Sequence, residues 1–178
     1  MAPRHDSQNN RLAHGGRIDE SEENPMLAKS LKNYLDERNV KYITLTHSCA
    51  YTAQEVAHSA HLSGTALAKT VMVIIDGALA MTVLPANRRV QVQDLQELTG
   101  CDNVRLAHEG EFKKVFPDCE TGAMPPFGNL YNMAVYISPE LAAEPEIVFN
   151  AGSHTELIRM AWRDYQSLVQ PLVAQFAM

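Results

Sequence analysis

The chain has 178 residues, 46% hydrophobic and 20% charged, with a formal net charge of −6. That length supports one domain with a sizeable core, and no apolar run approaches the ~18–20 residues of a membrane helix. Neutralised phosphates supply most general nucleic-acid affinity, so the acidic balance argues against DNA as a partner and makes any RNA contact local.

Residues 1–24 lack an apolar signal-peptide core and read as a flexible tail, which makes the protein cytoplasmic by expectation. The single domain is expected over residues 25–178. Asn24-Pro25 is a helix start, a cap residue followed by proline. Leu27, Leu31, Tyr34 and Leu35 then recur at helical spacing to about Asn39. "KYITLTH" alternates Tyr42, Thr44 and Thr46 against Ile43 and Leu45, a half-buried strand. "TAQE", Thr52 to Glu55, is a capping-box pattern that opens a helix running to about His61.

"KTVMVIIDGALAMTVLPA" reads as two apolar strands joined at Asp76-Gly77, the strongest hairpin signal in the chain. Their unbroken apolar runs place them centrally in a sheet. "DLQE", from Asp94, repeats the capping-box pattern for a short helix stopping at Gly100. "EGEFKKVF" is a further short helix halted by Pro117. Strands are expected at "MAVYIS", "EIVFNA" and "TELIRMA". Asp164 is read as the cap of a last helix, which Pro171 kinks or breaks. Strands and short helices without strict alternation indicate an α+β fold with a mixed sheet.

The three cysteines, Cys49, Cys101 and Cys119, are scattered and odd in number, and read as free thiols. His58 and His61 share a helix face, but no further ligand is spaced near them, so no metal is expected. No generic nucleotide, nucleophile or metal motif is present. Chemistry must therefore rest on isolated residues beside special backbone.

Lys69 stands at the mouth of "TVMVII", where it either snorkels to solvent or meets an anionic or carbonyl partner. His154, in "NAGSHTELI", follows Gly152; it can orient a substrate or shuttle a proton, or be an ordinary loop histidine. His47 ends a strand, where a structural or capping role competes with a substrate contact. "DCETGAMPPFGNLYNM", residues 118–133, is rigid and poor in charge after Glu120. It is either a stiff turn or a preformed wall at which Gly122 lets a ligand touch backbone.

"AKTVMV", "TGAMPPFG" and "NAGSHTELIRM", in this order and separation, resemble the YbaK/prolyl-tRNA-synthetase-associated editing domains. The resemblance covers about residues 25–178, with "HSCAYTAQEVA" and "YQSLVQPLVAQF" at its two ends. It implies an α+β fold with a mixed, barrel-like sheet flanked by helices. It also implies hydrolysis, without an attached synthetase, of the ester of a mischarged aminoacyl-tRNA. No cofactor or metal is implied. Lys69 matches the family's essential lysine, Gly122 the glycine of its "GxxxP" loop and His154 the histidine of its "GxxH" motif. These three are the expected catalytic residues. Thr70, His47, Met124, Pro125, Phe127, Gly152 and Ser153 are the expected substrate contacts; Met124 and Phe127 suit core packing equally well.

An aminoacyl ester is already activated, so positioning, oxyanion stabilisation and a held water suffice. The expected partners are the acceptor end of a mischarged tRNA and an aminoacyl-tRNA synthetase, with no membrane. Two departures leave the amino acid open, with a small one on tRNA(Pro) or a related tRNA the expectation. Thr70 stands where the branch acting on Ala-tRNA(Pro) often has asparagine, and "PPFG" differs from the loop of the Cys-tRNA(Pro) branch. The alternative is a non-catalytic tRNA- or ligand-binding module of the same fold.

Overall fold

The computed structural model describes residues 29–47 and 65–178. Asn24-Pro25, Cys49, the "TAQE" helix with His58 and His61, and the N-terminal tail lie outside the described residues.

Helix α1, Lys29–Glu37, buries Leu31 and Leu35 completely, as their i, i+4 spacing requires. It is ended by Asn39 at φ 52, with the Val40 N–H turned back onto Leu35 O. Strand β1, Tyr42–Thr46, then pairs antiparallel with β7, Glu156–Ala161, which pairs with β6, Glu146–Asn150. Neither face of β1 is wholly the inner one: Thr46 is exposed, and Leu45 packs on the small cluster of Leu67, Val148 and Leu157. Tyr42 pairs with Met160 and packs on the main core, whereas Ile43 remains 48% exposed.

The hairpin forms as the sequence dictates. Strands β2, Ala68–Ile75, and β3, Ala78–Pro85, are joined by Asp76 at φ 47 and Gly77 at φ 86. Two positive φ values are what a two-residue type I′ turn needs, and they match the twist of the strands. Helix α2, Val92–Thr99, follows. It starts from Gln91, three residues ahead of the expected cap, so Asp94 lies inside the first turn and forms no capping box. Its end at Gly100, φ 68, is as expected.

Strand β4, Val104–Leu106, and helix α3, Glu109–Phe112, come next, with a 3-10 turn at Lys113–Val115 before Pro117. A capping interaction that the sequence reading passed over sits here: the His108 N–H donates to Glu111 at 2.8 Å. Strand β5, Ala134–Ile137, helix α4, Pro139–Ala142, and helix α5, Trp162–Val169, complete the frame with β8, Leu172–Val173. Helix α5 begins directly off β7, with Ala161 as its cap and the Trp162 N–H on Pro145 O. Asp164 is therefore not the cap; it lies in the first turn, where its charge still favours the helix dipole. Pro171 breaks the helix after Gln170, and the chain continues as β8.

The fold is α+β with two sheets, one antiparallel in the order β1-β7-β6 and one mixed in the order β4-β2-β3-β5-β8. One edge of β2 is shared between them. Its far half carries β4, while Leu67, just before β2, bridges in parallel to Val148 of β6. Ala86 N donates to Leu67 O and Val148 N to Ala66 O, so three chains lie side by side at this seam. The sheets thus wrap around a main core, with two smaller clusters beside it, without closing a barrel among the described strands. Phe127, Phe149 and Tyr165 are its centre, with ring centroids 5.4–6.3 Å apart. Among the described residues no helix is long and apolar enough to cross a membrane.

Candidate functional site

The stretch 118–133 is a folded-down loop, with residues 123–128 all buried beneath an exposed Gly122. Ala123 N donates to Glu120 O, closing a β-turn with Gly122 in its third position at φ +89. A type II turn needs that positive φ, which any side chain would strain. Pro125 and Pro126 supply no N–H, and their carbonyls are both used. Phe127 N donates to Pro125 O, and the buried Tyr165 hydroxyl donates to Pro126 O at 2.8 Å. Gly128 is fixed by space: a Cβ there would lie 2.6 Å from Val135 Cγ2 and 2.9 Å from Met133 O.

A second loop, between β6 and β7, is laced to the first. Glu120 N donates to Gly152 O at 2.7 Å and Gly152 N to Ala123 O at 3.0 Å. The Glu120 carboxylate accepts the His154 backbone N–H at 2.7 Å, and His154 Nε2 lies 3.0 Å from Thr121 O. A carbonyl only accepts, so that contact puts the proton on Nε2 and leaves Nδ1 as the acceptor of the neutral ring. The imidazole lies over Gly122, where an added Cβ would come 3.5 Å from Cε1. Both residues face solvent. His47 joins from the end of β1, its N–H donating to Thr155 O at 2.8 Å. Ser153, almost fully buried, has its hydroxyl 3.2 Å from that of Thr155.

Lys69 enters from the other sheet. Its ammonium donates to Ala86 O at 3.1 Å, and burial followed by the nearby Arg89 charge lowers its pKa from the ordinary lysine value. Its hydrogen-bond partner thus lies in the turn after β3, and its backbone stands two residues beyond the Leu67–Val148 bridge. Thr70 pairs with Val83 and, by strand alternation, faces the opposite side from Lys69, into the main core.

Of the expected residues, the structure brings Gly122, Gly152, Ser153, His154 and His47 into one loop cluster. Met124 lies under it, nearly fully buried, with its sulfur 3.2 Å from Gly122 N. Pro125 is buried beside it. Phe127 takes the packing alternative: its ring is fully buried between Tyr34, Phe149 and Tyr165. Glu120 was missed as a site residue. Its signal was its place two residues before Gly122, the last charge before an uncharged stretch.

A family model for the aminoacyl-tRNA editing domain matches residues 47–168, a span that holds Lys69 and both loops. The chain belongs to the aminoacyl-tRNA editing domain family. The editing domain is also similar in fold to solved structures. One is a hypothetical protein, APE2540, at TM-score 0.73 and 20% identity, covering 84% of this chain and 100% of that one. Another is described as "a putative trans-editing enzyme for prolyl tRNA synthetase", at TM-score 0.74 and 20% identity, covering 86% and 98% of the two chains. A protein from Marinobacter aquaeolei VT8 described as "a Putative signal transduction protein" shares it over 30% of its own length, at TM-score 0.65 and 14% identity over 84% of this chain. No curated protein sequence matches significantly.

Proposed function

We propose that this editing domain hydrolyses the ester of a mischarged aminoacyl-tRNA in trans, taking a small amino acid from tRNA(Pro) or a related tRNA in the cytoplasm. The observation that carries the reading is the interlocked loop pair, in which the Gly122 backbone is exposed beneath an imidazole of fixed tautomer. The structural neighbour described as a trans-editing candidate points the same way.

Water attacks the ester carbonyl, the bond from that carbon to the ribose oxygen breaks, and the ribose oxygen takes up a proton. Lys69 and the backbone dipoles at Gly122 stabilise the oxyanion, an effect that preorganised groups supply without reorganisation. His154 Nδ1 positions the water or the amino acid. The ribose hydroxyl or a water chain moves the proton, so a 2′-deoxy-ended substrate reacts more slowly; an unchanged rate removes the ribose from the mechanism.

Met124 and Pro125 stiffen the wall below Gly122. Favourable contacts separate side chains differing by a methylene only about 10- to 200-fold, so exclusion by an unyielding wall adds what contact cannot. An acidic surface fits brief contact at the acceptor end, with a synthetase as the partner that delivers the tRNA.

The test is a panel of mischarged tRNAs incubated with the full chain and with Lys69→Ala. Ester loss with the unaltered chain, and its collapse in the variant, is expected. Loss with neither, or an unaffected variant, returns the domain to the non-catalytic module reading.

A further inference from the structure

The Thr121–Gly122 peptide is gripped from both sides. His154 Nε2 donates to Thr121 O at 3.0 Å, and Gly122 N donates to the Met124 sulfur at 3.2 Å. The oxygen and the N–H of a trans peptide point in opposite directions. The imidazole thus holds the outer edge of this peptide, and the nearly buried thioether holds its inner edge. A Gly122 N–H aimed at that sulfur is turned away from any oxyanion in front of the imidazole. The Thr121 oxygen itself fills that place, as an acceptor seated on the His154 donor.

The turn carries the means to reverse this. It is closed by Ala123 N on Glu120 O, with Gly122 at φ +89 in the third position. Type II and type I turns share the closing bond and differ by a half-rotation of the central peptide, here Thr121–Gly122. In type I the third residue has φ of about −90°, and glycine visits both regions without strain. A side chain of either hand excludes one of the two states. The bonds that lace the two loops, Glu120 N to Gly152 O and Gly152 N to Ala123 O, use neither end of the rotating peptide. On its inner edge the rotation gives up only a bond to a thioether, a weak acceptor.

We propose that the resting site is closed by its own backbone, and that substrate opens it by flipping the Thr121–Gly122 peptide. The flip rests on the deacylase reading for the identity of its ligand. After the half-rotation the Gly122 N–H faces the place that Thr121 O has left, opposite the His154 Nε2–H. Two donors that face each other need an acceptor between them. The ester carbonyl oxygen supplies it as water adds to the carbon and negative charge gathers on that oxygen. The two donors form an oxyanion hole only with substrate in place, so their contribution falls on the transition state. The His154 tautomer is unchanged, which leaves Nδ1 as the acceptor for the water or the amino acid. When product leaves, the peptide turns back, and Thr121 O and the Met124 sulfur reclaim the two donors.

Two arms test it on the full chain. In the first, D-alanine replaces Gly122, by ligation of residues 1–118 to a synthetic segment 119–178 that begins with Cys119. D-alanine accepts φ +89 and resists the negative φ of type I, so it locks the turn in its resting form. The locked chain is expected to keep its Tm and to hydrolyse aminoacyl-tRNA about a hundredfold more slowly, the effect of losing one oxyanion donor. An undiminished rate overturns the flip while the deacylase reading stands.

In the second, the 3′-monoester of adenosine with 1-aminoethylphosphonate, a tetrahedral anion in place of the alanine ester, is titrated into the isotopically labelled chain. The expected result is a downfield shift of the Gly122 amide proton and a coupling through the hydrogen bond between its nitrogen and the phosphorus. A bound phosphonate without that coupling, or no binding, overturns the flip. If the unaltered chain hydrolyses no ester, the deacylase reading falls and the coupling alone decides the flip.

Discussion

Glu120→Ala removes one of the two side chains that tie the glycine loop to the histidine loop, the other being the His154 imidazole on Thr121 O. The Glu120 carboxylate accepts the His154 N–H at 2.7 Å. A hydrogen bond to a charged group contributes about 1.5–3 kcal/mol, but Glu120 is exposed and solvent screening reduces this to about 1 kcal/mol. The two backbone bonds between the loops, Glu120 N to Gly152 O and Gly152 N to Ala123 O, need no side chain and survive the change. Stability therefore falls by about 1 kcal/mol, a Tm shift of about 2–4 °C for a chain of this size. The effect on turnover is larger, because a displacement of about 1 Å in a catalytic group costs on the order of a hundredfold. Thermal unfolding and single-turnover deacylation are measured on the same preparations, with Glu120→Gln alongside. The amide keeps an acceptor oxygen, so glutamine is expected to recover most of kcat. An alanine variant with unchanged kcat, or a glutamine variant as poor as alanine, refutes the positioning role.

Three other outcomes follow from the geometry. Gly122→Ala places a Cβ in ordinary contact with His154, so its cost is the strain of φ +89, about 1–2 kcal/mol, together with a slower deacylation as the turn relaxes; an unchanged Tm in calorimetry contradicts this. Tyr165→Phe leaves the Pro126 carbonyl without the hydroxyl that now bonds it at 2.8 Å, lowering stability by about 1–2 kcal/mol in denaturant titration, whereas a neutral change shows the carbonyl is satisfied otherwise. Glu111 is held down to about 2, first by Arg105 and then by the His108 N–H, against an ordinary 4.5. A depressed carboxyl stabilises the fold above its unfolded pKa and loses that contribution as pH falls from about 4.5 toward 2. Glu111→Gln is expected to flatten the Tm profile over that window; an unaltered acid limb refutes the assignment.

The elements whose local chemistry was self-sufficient were legible in the sequence. Asp76-Gly77 needs no tertiary help to form a type I′ hairpin, and Leu31 with Leu35 marks a helix face by spacing alone. The errors arose where tertiary contacts chose among local options. Two helix starts were placed on acidic residues, Asp94 and Asp164, which lie in first turns because the preceding chain was already held, as by Pro145 O on Trp162 N. The alternation in β1 was visible, but which of its side chains are covered depends on the partners across the pair, Met160 opposite Tyr42 and Leu157 opposite Leu45.

The candidate site divides similarly. The positive φ at Gly122 and Gly152 is written into the residue type, whereas the bond from Glu120 to the His154 backbone joins residues 34 apart and has no local signal. Lys69 was legible as a cation beside an apolar strand, but its Ala86 and Arg89 neighbours depended on how β3 turns back at the seam.

The most direct measurement follows ester loss from tRNA(Pro) carrying alanine, cysteine or proline, with the full chain present and no synthetase. Hydrolysis of at least one of the two small-amino-acid esters well above its spontaneous rate, with the proline ester spared, is the predicted result. Spontaneous rates for all three would contradict the catalytic claim for this tRNA, and equal acceleration of all three would contradict the rigid wall that the Gly122 loop is held to form.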